Sequence, residues 1–475
     1  MEKEEALGGY TPEQAWEALQ QRRREYYAPY AAAYGGEHGA LRRTAAPGSF
    51  WRRGGKVKLH VPAAADIAAT AAALLFGKPP RYTIFDGAKG ETEEDSVPRL
   101  EAILRGNGMD EKLQEAAERA AAAGDVFLKC RYDRENLDMP SIAVVRGEDA
   151  LPEYWMGQLM CIHFFTVLRW EKPADRVWRV YERYAPGSIR TAVYKGNGGA
   201  LGSEEPGALE ALGLTAEAET PGGGMLAEHI MNLRPSRVWP GEDKGRSDLE
   251  GLRDLTDSLD EIYTSWLRDI RLAKSRLIVP AEFLRRNPGD LFKEGSYTYD
   301  FDEDVETLVA LDIGGDGADM KITPSQFAIR AAEHAATYES TLRAIISMAG
   351  YSPQTFGLDI NGTAESGTAR RMMEKKSRST TLQKQRYWQG PLERFLTAVM
   401  HLDKALYGND RLTKEDRVRV ELRDPGEGDP GEAASAVGLL RTARAASTET
   451  MVRMLHPDWS QKQVQEEAER IQAEK

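Results

Sequence analysis

The stretch "GRSDLEGLRDLTDSLDEIYTSWLRDIRLAKSR", residues 245–276, is the most regular in the chain. Leu252, Leu255, Leu259, Ile262 and Trp266 recur at spacings of three and four, the period of one helix face. Ser247 is placed to cap the N-terminus, and Asp248 and Glu250 fall in the first turn, where carboxylates meet the positive end of the helix dipole. The pattern predicts one long helix of about 40 Å at ~1.5 Å per residue. Two uses fit such a helix: a buried core element, or an element packed against copies of itself in a ring.

On its C-terminal side, 277–323 shortens into strands and turns and is strongly acidic in "EGSYTYDFDEDVETLVALDIGGDGAD", 294–319. These carboxylates do not match the calcium loop, which needs Gly at its sixth position; counting from Asp300, that position is Val305. A solvated acidic face is expected, and no metal site is assigned. A second helix is predicted over "TPSQFAIRAAEHAATYESTLRAIISMAG", 323–350, capped by Thr323, with Pro324 first and Gly350 as the stop. A small-residue loop follows, and then the chain turns basic. Arg370, Arg371, Lys375, Lys376, Arg378, Lys384 and Arg386 face a single acid, Glu374.

Upstream, Thr11 and Pro12 begin an amphipathic helix through "PEQAWEALQQRRREYYAPYAAAY", and a Gly-rich break follows at Gly35. "GGKVKLHVPAAADIAATAAALLFGKPPRYTIF", 54–85, reads as strand, Ala-rich helix stopped at Gly77 and Pro79, and strand. Its "GKPP" lacks the spacing of a phosphate loop. One further helix is expected over "VPRLEAILRGNGMDEKLQEAAERAAAAGD", 97–125, feeding the strand "VFLKCRY". Alternating stretches between Trp155 and Lys195 predict an antiparallel meander, with "GNGGALG" and "TPGGG" as turns.

At 475 residues, 41% hydrophobic and 29% charged, the chain has the composition of an ordinary globular protein of about two to four domains. Its longest apolar candidate, "AAADIAATAAALLF" from Ala63, is too short for a membrane span and holds Asp66. The N-terminus is acidic and reads as helix, so no secretory signal is expected. Cys130 and Cys161 form no CxxC pair, which argues against a disulfide framework and a thiolate metal site; both are expected as buried apolar side chains. A net charge of −12 excludes a protein that coats nucleic acid through many basic contacts, so any DNA contact is local or weak.

Taken in order, four stretches resemble the portal proteins of tailed bacteriophages, the siphophage branch in particular. They are "AAALLFGKPPRYT" (71–83), "NLRPSRVWPGEDKGRSDLEGLRDLTDSLDEIYTSWLRDI" (232–270), "MAGYSPQTFGLDINGTAESGTARRMMEKKSRSTTLQKQRYW" (348–388) and "GLLRTARAASTETMVRMLHPDWSQKQVQEEAERIQAEK" (438–475). The resemblance implies an α+β portal fold with wing, stem, clip and crown regions, built as a ring of about twelve copies around a DNA channel at one capsid vertex. It implies a wing over 1–245, a first stem helix over 246–276, a clip over 277–323 and a second stem helix over 324–349. A tunnel loop over 350–366, a tunnel helix and returning wing over 367–425, and a crown over 426–475 complete it. The short crown argues against an elaborate genome-sensing barrel.

On the same resemblance, Asn361, Gly362, Thr363, Ala364, Glu365 and Ser366 belong to the loop that projects toward the channel axis. Asp300, Asp302, Glu303, Asp304, Asp316 and Asp319 belong to the clip surface. The implied partners are double-stranded DNA passing without sequence specificity, the terminase large subunit, a head-completion adaptor, and the major capsid and scaffolding proteins. The implied location is the virion, assembled in the host cytoplasm, with no membrane, cofactor or catalysis. Two readings stay open for Arg370, Arg371, Lys375, Lys376 and Arg378: contact with DNA, or pairing with carboxylates of a neighbouring subunit. Lys384 and Arg386, beside Tyr387 and Trp388, are expected to be structural. The alternatives are another head-assembly protein, such as a scaffold or connector, and a nuclease using metal at Asp300, Asp302 and Asp304. The nuclease lacks an accompanying His or Lys motif.

Overall fold

The N-terminal helix α1 (Pro12–Arg22) starts where the sequence places it. Thr11 accepts from the Gln14 backbone N–H and Gln14 reaches back to Thr11, a complete capping box. The computed structural model describes residues 9–30, 59–85, 97–133, 136–171, 174–241, 243–273, 276–280, 309–311, 323–325, 329–358, 367–408, 416–423, 430–456, 459 and 461–473. A π-helical turn, Arg23–Tyr27, continues α1.

Helix α2 (Ala63–Phe76) ends at Gly77, as expected, and leads into β1 (Arg81–Phe85). The strand expected ahead of α2 is not formed at Leu59–Val61. Those residues are irregular, held by Asp260, whose carboxylate accepts from the Val61 N–H at 2.8 Å, and by the Thr264 hydroxyl, which accepts from the Leu59 N–H. The single helix expected over 97–125 is two, α3 (Val97–Gly106) and α4 (Met109–Ala123). Gly108 lies in the left-handed region at φ 57°, which breaks the helix, and the Asn107 side chain bonds the Ile103 and Pro140 carbonyls.

From Gly124 the chain enters β2 (Asp125–Arg131), β3 (Ser141–Arg146), β4 (Ala150–Trp155), β5 (Gln158–Glu171), β6 (Arg176–Ala185), β7 (Ser188–Gly196) and β8 (Ser203–Glu204). A short helix α5 (Pro206–Ala211), β9 (Glu217–Glu219) and β10 (Ala227–Met231) follow. Strands β4 to β8 form the predicted antiparallel meander, with β9 also paired to β7. A second sheet has the order β10-β2-β3. Helix α1 lies under the meander, where Trp16 and Leu19 pack with Leu151, Phe165, Tyr181 and Tyr194.

The helix of the opening stretch, α6, spans Arg253–Leu272, about 30 Å rather than 40 Å. Its start is displaced because Gly251 sits at φ +78°, so the bond that Ser247 Oγ accepts from the Leu249 N–H at 3.0 Å belongs to a turn ahead of the helix. The Ser247 hydroxyl also donates to the Ala121 and Ala122 carbonyls, closing the C-terminus of α4. After α6 come β11 (Arg276–Pro280), β12 (Val309–Leu311) and β13 (Thr323–Ser325), a small sheet in the order β12-β11-β13. Thr323 and Pro324 therefore pair with Ile278 and Leu277 in a strand and do not begin the next helix. That helix, α7 (Ala331–Ala349), ends at Gly350, left-handed at φ 102°, as predicted.

Helix α8 (Gly367–Tyr407) is the longest, at 41 residues, and passes through Pro391. Strand β14 (Arg417–Glu421) pairs with β1, and the helices α9 (Pro430–Ala443), α10 (Thr448–Leu455) and α11 (Gln461–Ala473) finish the chain. The largest core lies where α3, α4, the β10-β2-β3 sheet and α8 meet, around Phe127, Ile230, Trp388 and Phe395. A second core joins α2, α6 and α7 through Ile67, Leu252, Leu259, Ile345, Ile346 and Tyr351.

The two cores are tied by a backbone contact that admits no side chain. A Cβ on Gly245 would lie 1.9 Å from the Gly124 carbonyl oxygen, and one on Gly124, at φ +94°, would lie 2.4 Å from the Gly245 carbonyl oxygen. The Gly245 N–H also donates to Asp125 Oδ1 at 2.6 Å. Gly245→Ala is accordingly expected to destabilise the protein by about 1–3 kcal/mol or more, as overpacking of a closed contact does. An unchanged urea midpoint would refute this.

Candidate functional site

Helix α7 and the start of α8 converge on the segment that the sequence marks as the loop and its basic run. Gly350 closes α7, Tyr351 and Ser352 are buried, and a 3-10 turn runs over Pro353–Phe356. Residues Asn361 to Ser366 lie outside the described residues. The same holds for Asp300, Asp302, Glu303, Asp304, Asp316 and Asp319.

A ladder of side chains straps α8 to this corner. The Ser352 N–H donates to Ser377 Oγ at 2.8 Å, Thr355 and Ser377 share a hydroxyl bond of 2.8 Å, and the Thr380 hydroxyl donates to the Gly350 carbonyl at 2.6 Å. Lys376 donates to the Ser347 carbonyl. It thus neutralises an open carbonyl in the last turn of α7, where a cation also suits the helix dipole. Lys375 and Arg378 are exposed; Arg370 and Arg371 are placed on the first turn of α8.

Deeper along α8, Lys384 is fully enclosed and its ammonium reaches Asp248 Oδ2 at 2.5 Å. The Tyr351 hydroxyl donates to the same oxygen at 2.6 Å, and the Asn232 amide donates to Asp248 Oδ1 at 2.8 Å. Burial pushes the Lys384 ammonium below the ordinary lysine range, with Asp248 opposing that shift. Burial, then Asp248, lifts the Tyr351 phenol well above its usual value. One buried carboxylate thus joins the segment before α6, the end of α7 and the middle of α8. Lys384 is structural, as expected. Arg386 is exposed and plays no such part. Asp248, read from sequence as a first-turn residue of the helix, is the member that sequence reasoning missed; its partner Lys384 is 136 residues away.

Helices α6 and α7 lie side by side. Tyr263 stands 6.0 Å from Tyr338, Trp266 stacks on His334 at 6.3 Å, and Asp269 takes bonds from both His334 and Arg330. The His334 and Arg330 bonds hold the Asp269 carboxyl below its usual range.

An open cleft of about 1460 Å³ runs between the β4–β5 turn, β10, α8 and β14; Tyr154, Glu228, His229, Arg394, His401 and Arg419 are on its wall. Within it Arg394 closes on Glu228 at 2.5 Å, and His229 bridges the Tyr154 hydroxyl at 2.9 Å and Asp125 at 3.1 Å. Burial pushes the Tyr154 phenol well up, so this chain of bonds holds a proton rather than activating a nucleophile. Among the described residues one group of three metal-ligating side chains stands close together, Glu153, Cys161 and His163. Cys161 and Cys130 are buried and free, but Cys161 is not merely apolar, since its sulfur meets His163 Nε2 at 3.5 Å.

No curated protein matches this chain. Solved structures give distant likenesses. The neck of an empty gene transfer agent particle, computed with C6 symmetry, matches at 12% identity and a TM-score of 0.42, covering 84% of this chain and 91% of the other. A chain from the virion of the native gene transfer agent particle matches at 12% identity and a TM-score of 0.41, covering 89% and 94%. The family rests on a different comparison: the model described as "Phage portal protein, SPP1 Gp6-like" matches residues 17–475. With so nearly complete a match, the chain belongs to the SPP1 Gp6-like phage portal protein family.

Proposed function

We propose that the chain assembles into a closed ring of about twelve copies that forms the portal channel at one capsid vertex, through which double-stranded DNA is packaged, retained and ejected. The observation that carries the proposal is the family match over 17–475. The side-by-side pairing of α6 and α7, on either side of a long acidic excursion, supports it. On this reading α6 and α7 are the stem helices of 246–276 and 324–349, and 277–323 is the clip. The wing combines 1–245 with the returning part of 367–425, the loop of 350–366 faces the axis, and 426–475 is the crown. The protein acts without catalysis or cofactor, in the virion, after assembly in the host cytoplasm. An acidic chain suits a channel through which DNA slides, because few phosphate contacts can hold it.

Light scattering and axial class averages of the purified protein, alone and with scaffold or capsid protein, test the ring. Only monomer or dimer under both conditions would sink it. The clip carboxylates Asp300, Asp302, Glu303, Asp304, Asp316 and Asp319 are the proposed docking face for the terminase large subunit and later for a head-completion adaptor. Reversing their charge is expected to abolish DNA packaging while rings still form, and normal packaging by such rings would count against the assignment.

A further inference from the structure

We propose that Glu153, Cys161 and His163 form a binding site for one divalent transition-metal ion, zinc being the ion their donor set suits best. The three donor atoms lie within 4.8 Å of one another. They come together by strand geometry. Cys161 and His163 alternate on β5 and so share a face, and Glu153 is the partner of Cys161 across the β4–β5 pair, where a bulge after Glu153 shifts the register. His163 Nε2 is the meeting point, 2.7 Å from Glu153 Oε1 and 3.5 Å from the Cys161 sulfur. Metal–sulfur and metal–nitrogen bonds of about 2.3 and 2.0 Å put tetrahedral donors roughly 3.5 Å apart, so the Cys161–His163 pair already has the required spacing. The carboxylate must swing away by less than about 1 Å to admit the ion.

The surroundings support the same reading. His163 Nδ1 is held by the Tyr181 hydroxyl at 2.8 Å, the outer contact that orients a ligating imidazole. Glu153 is oriented from the other side by the Tyr10 N–H at 2.9 Å. Its side chain is 15% exposed whereas that of His163 is 0%, so an ion enters past Glu153, beside the exposed Tyr10, and water can complete the fourth position. One thiolate and one carboxylate neutralise a dication; the thiol proton leaves to solvent. Burial pushes the Cys161 thiol up to about 12, so the ion has to displace that proton; Arg183 opposes the rise, and its charge also opposes the cation. Tetrahedral closure by three side chains plus water is the pattern of an open rather than a fully closed site.

Cobalt(II) added to the full-length, untagged protein is the test, because only a sulfur-bound cobalt ion gives a thiolate-to-metal charge-transfer band along with tetrahedral visible bands. One equivalent per chain is expected, displaced by one equivalent of zinc. Cys161→Ser should abolish the charge-transfer band, and Cys130→Ser should leave it intact. Tyr181→Phe should weaken binding by about 10–100-fold, as loss of an outer partner does. Glu153 is partly exposed, so Glu153→Gln can be examined even where a buried variant fails to fold, and it should weaken binding at least tenfold. Absence of the charge-transfer band in the wild-type protein, its persistence in Cys161→Ser, or unchanged affinity in Glu153→Gln would overturn the proposal.

Discussion

Asp248→Ala is expected to lower the unfolding free energy by about 3–5 kcal/mol, the cost of leaving a buried charge without its partner. Asp248 is the common acceptor for Lys384 at 2.5 Å, Tyr351 at 2.6 Å and Asn232 at 2.8 Å, and none of the three can reach water when it is gone. Burial already depresses the Lys384 ammonium and Asp248 opposes that; without the carboxylate, only the depressing influence stays. A depressed lysine takes up its proton more readily in the unfolded chain, so stability rises with pH between its folded pKa and the ordinary lysine value of about 10.4. The variant should therefore be weakest at neutral pH and recover part of its loss under alkaline conditions. The double variant Asp248→Ala with Lys384→Met, which removes both charges, should recover much of the loss as well. Urea midpoints at neutral and alkaline pH measure both effects. A loss below about 0.5 kcal/mol at neutral pH would mean that the cluster is not a joint between the two cores.

That joint also marks the boundary of what one sequence discloses. Thr11, Gly77 and Gly350 are legible because a cap or a stop is decided within a few residues. Ser247 misleads because its oxygen does accept from a local N–H, that of Leu249, but in a turn ahead of Gly251 rather than in the helix, while its proton goes to carbonyls about 125 residues away. Gly251 and the Asn107-Gly108 pair were readable as breaks, since glycine tolerates the left-handed backbone found there, yet the apolar period outweighed them. Thr323-Pro324 has the sequence of a helix start and the structure of a strand, because pairing with Leu277 and Ile278 uses the same residues. The Cys-x-His spacing of 161–163 was visible on a predicted strand. Glu153 was not, because it enters only through the β4–β5 register.

Deletion of Asn361 to Ser366 is expected to leave rings intact while reducing DNA retained in particles to a small fraction of the wild-type amount. The expectation rests on the proposed portal role and on composition: Gly362, Thr363, Ala364 and Ser366 carry little apolar surface, so their removal costs little packing energy. The neighbouring basic run divides differently from its charge count. Lys376 is occupied within its own chain at the end of α7, so Lys376→Gln should cost only about 0.3–1 kcal/mol of monomer stability, the value of a cation at a helix C-terminus. For Arg370, Arg371, Lys375 and Arg378 the two proposed partners, DNA and a carboxylate of a neighbouring subunit, are set apart by experiment. Changing Lys375 and Arg378 to Gln should weaken ring assembly, most at low ionic strength, and flatten its salt dependence if they pair across subunits, because exposed ion pairs are screened as salt rises. It should leave assembly alone and alter only the packaged genome if they meet phosphate. Sedimentation of rings across a salt series, set beside the DNA content of assembled particles, separates the two. If neither assembly nor DNA content changes, both roles fail and the exposed part of the run is only a solvated face.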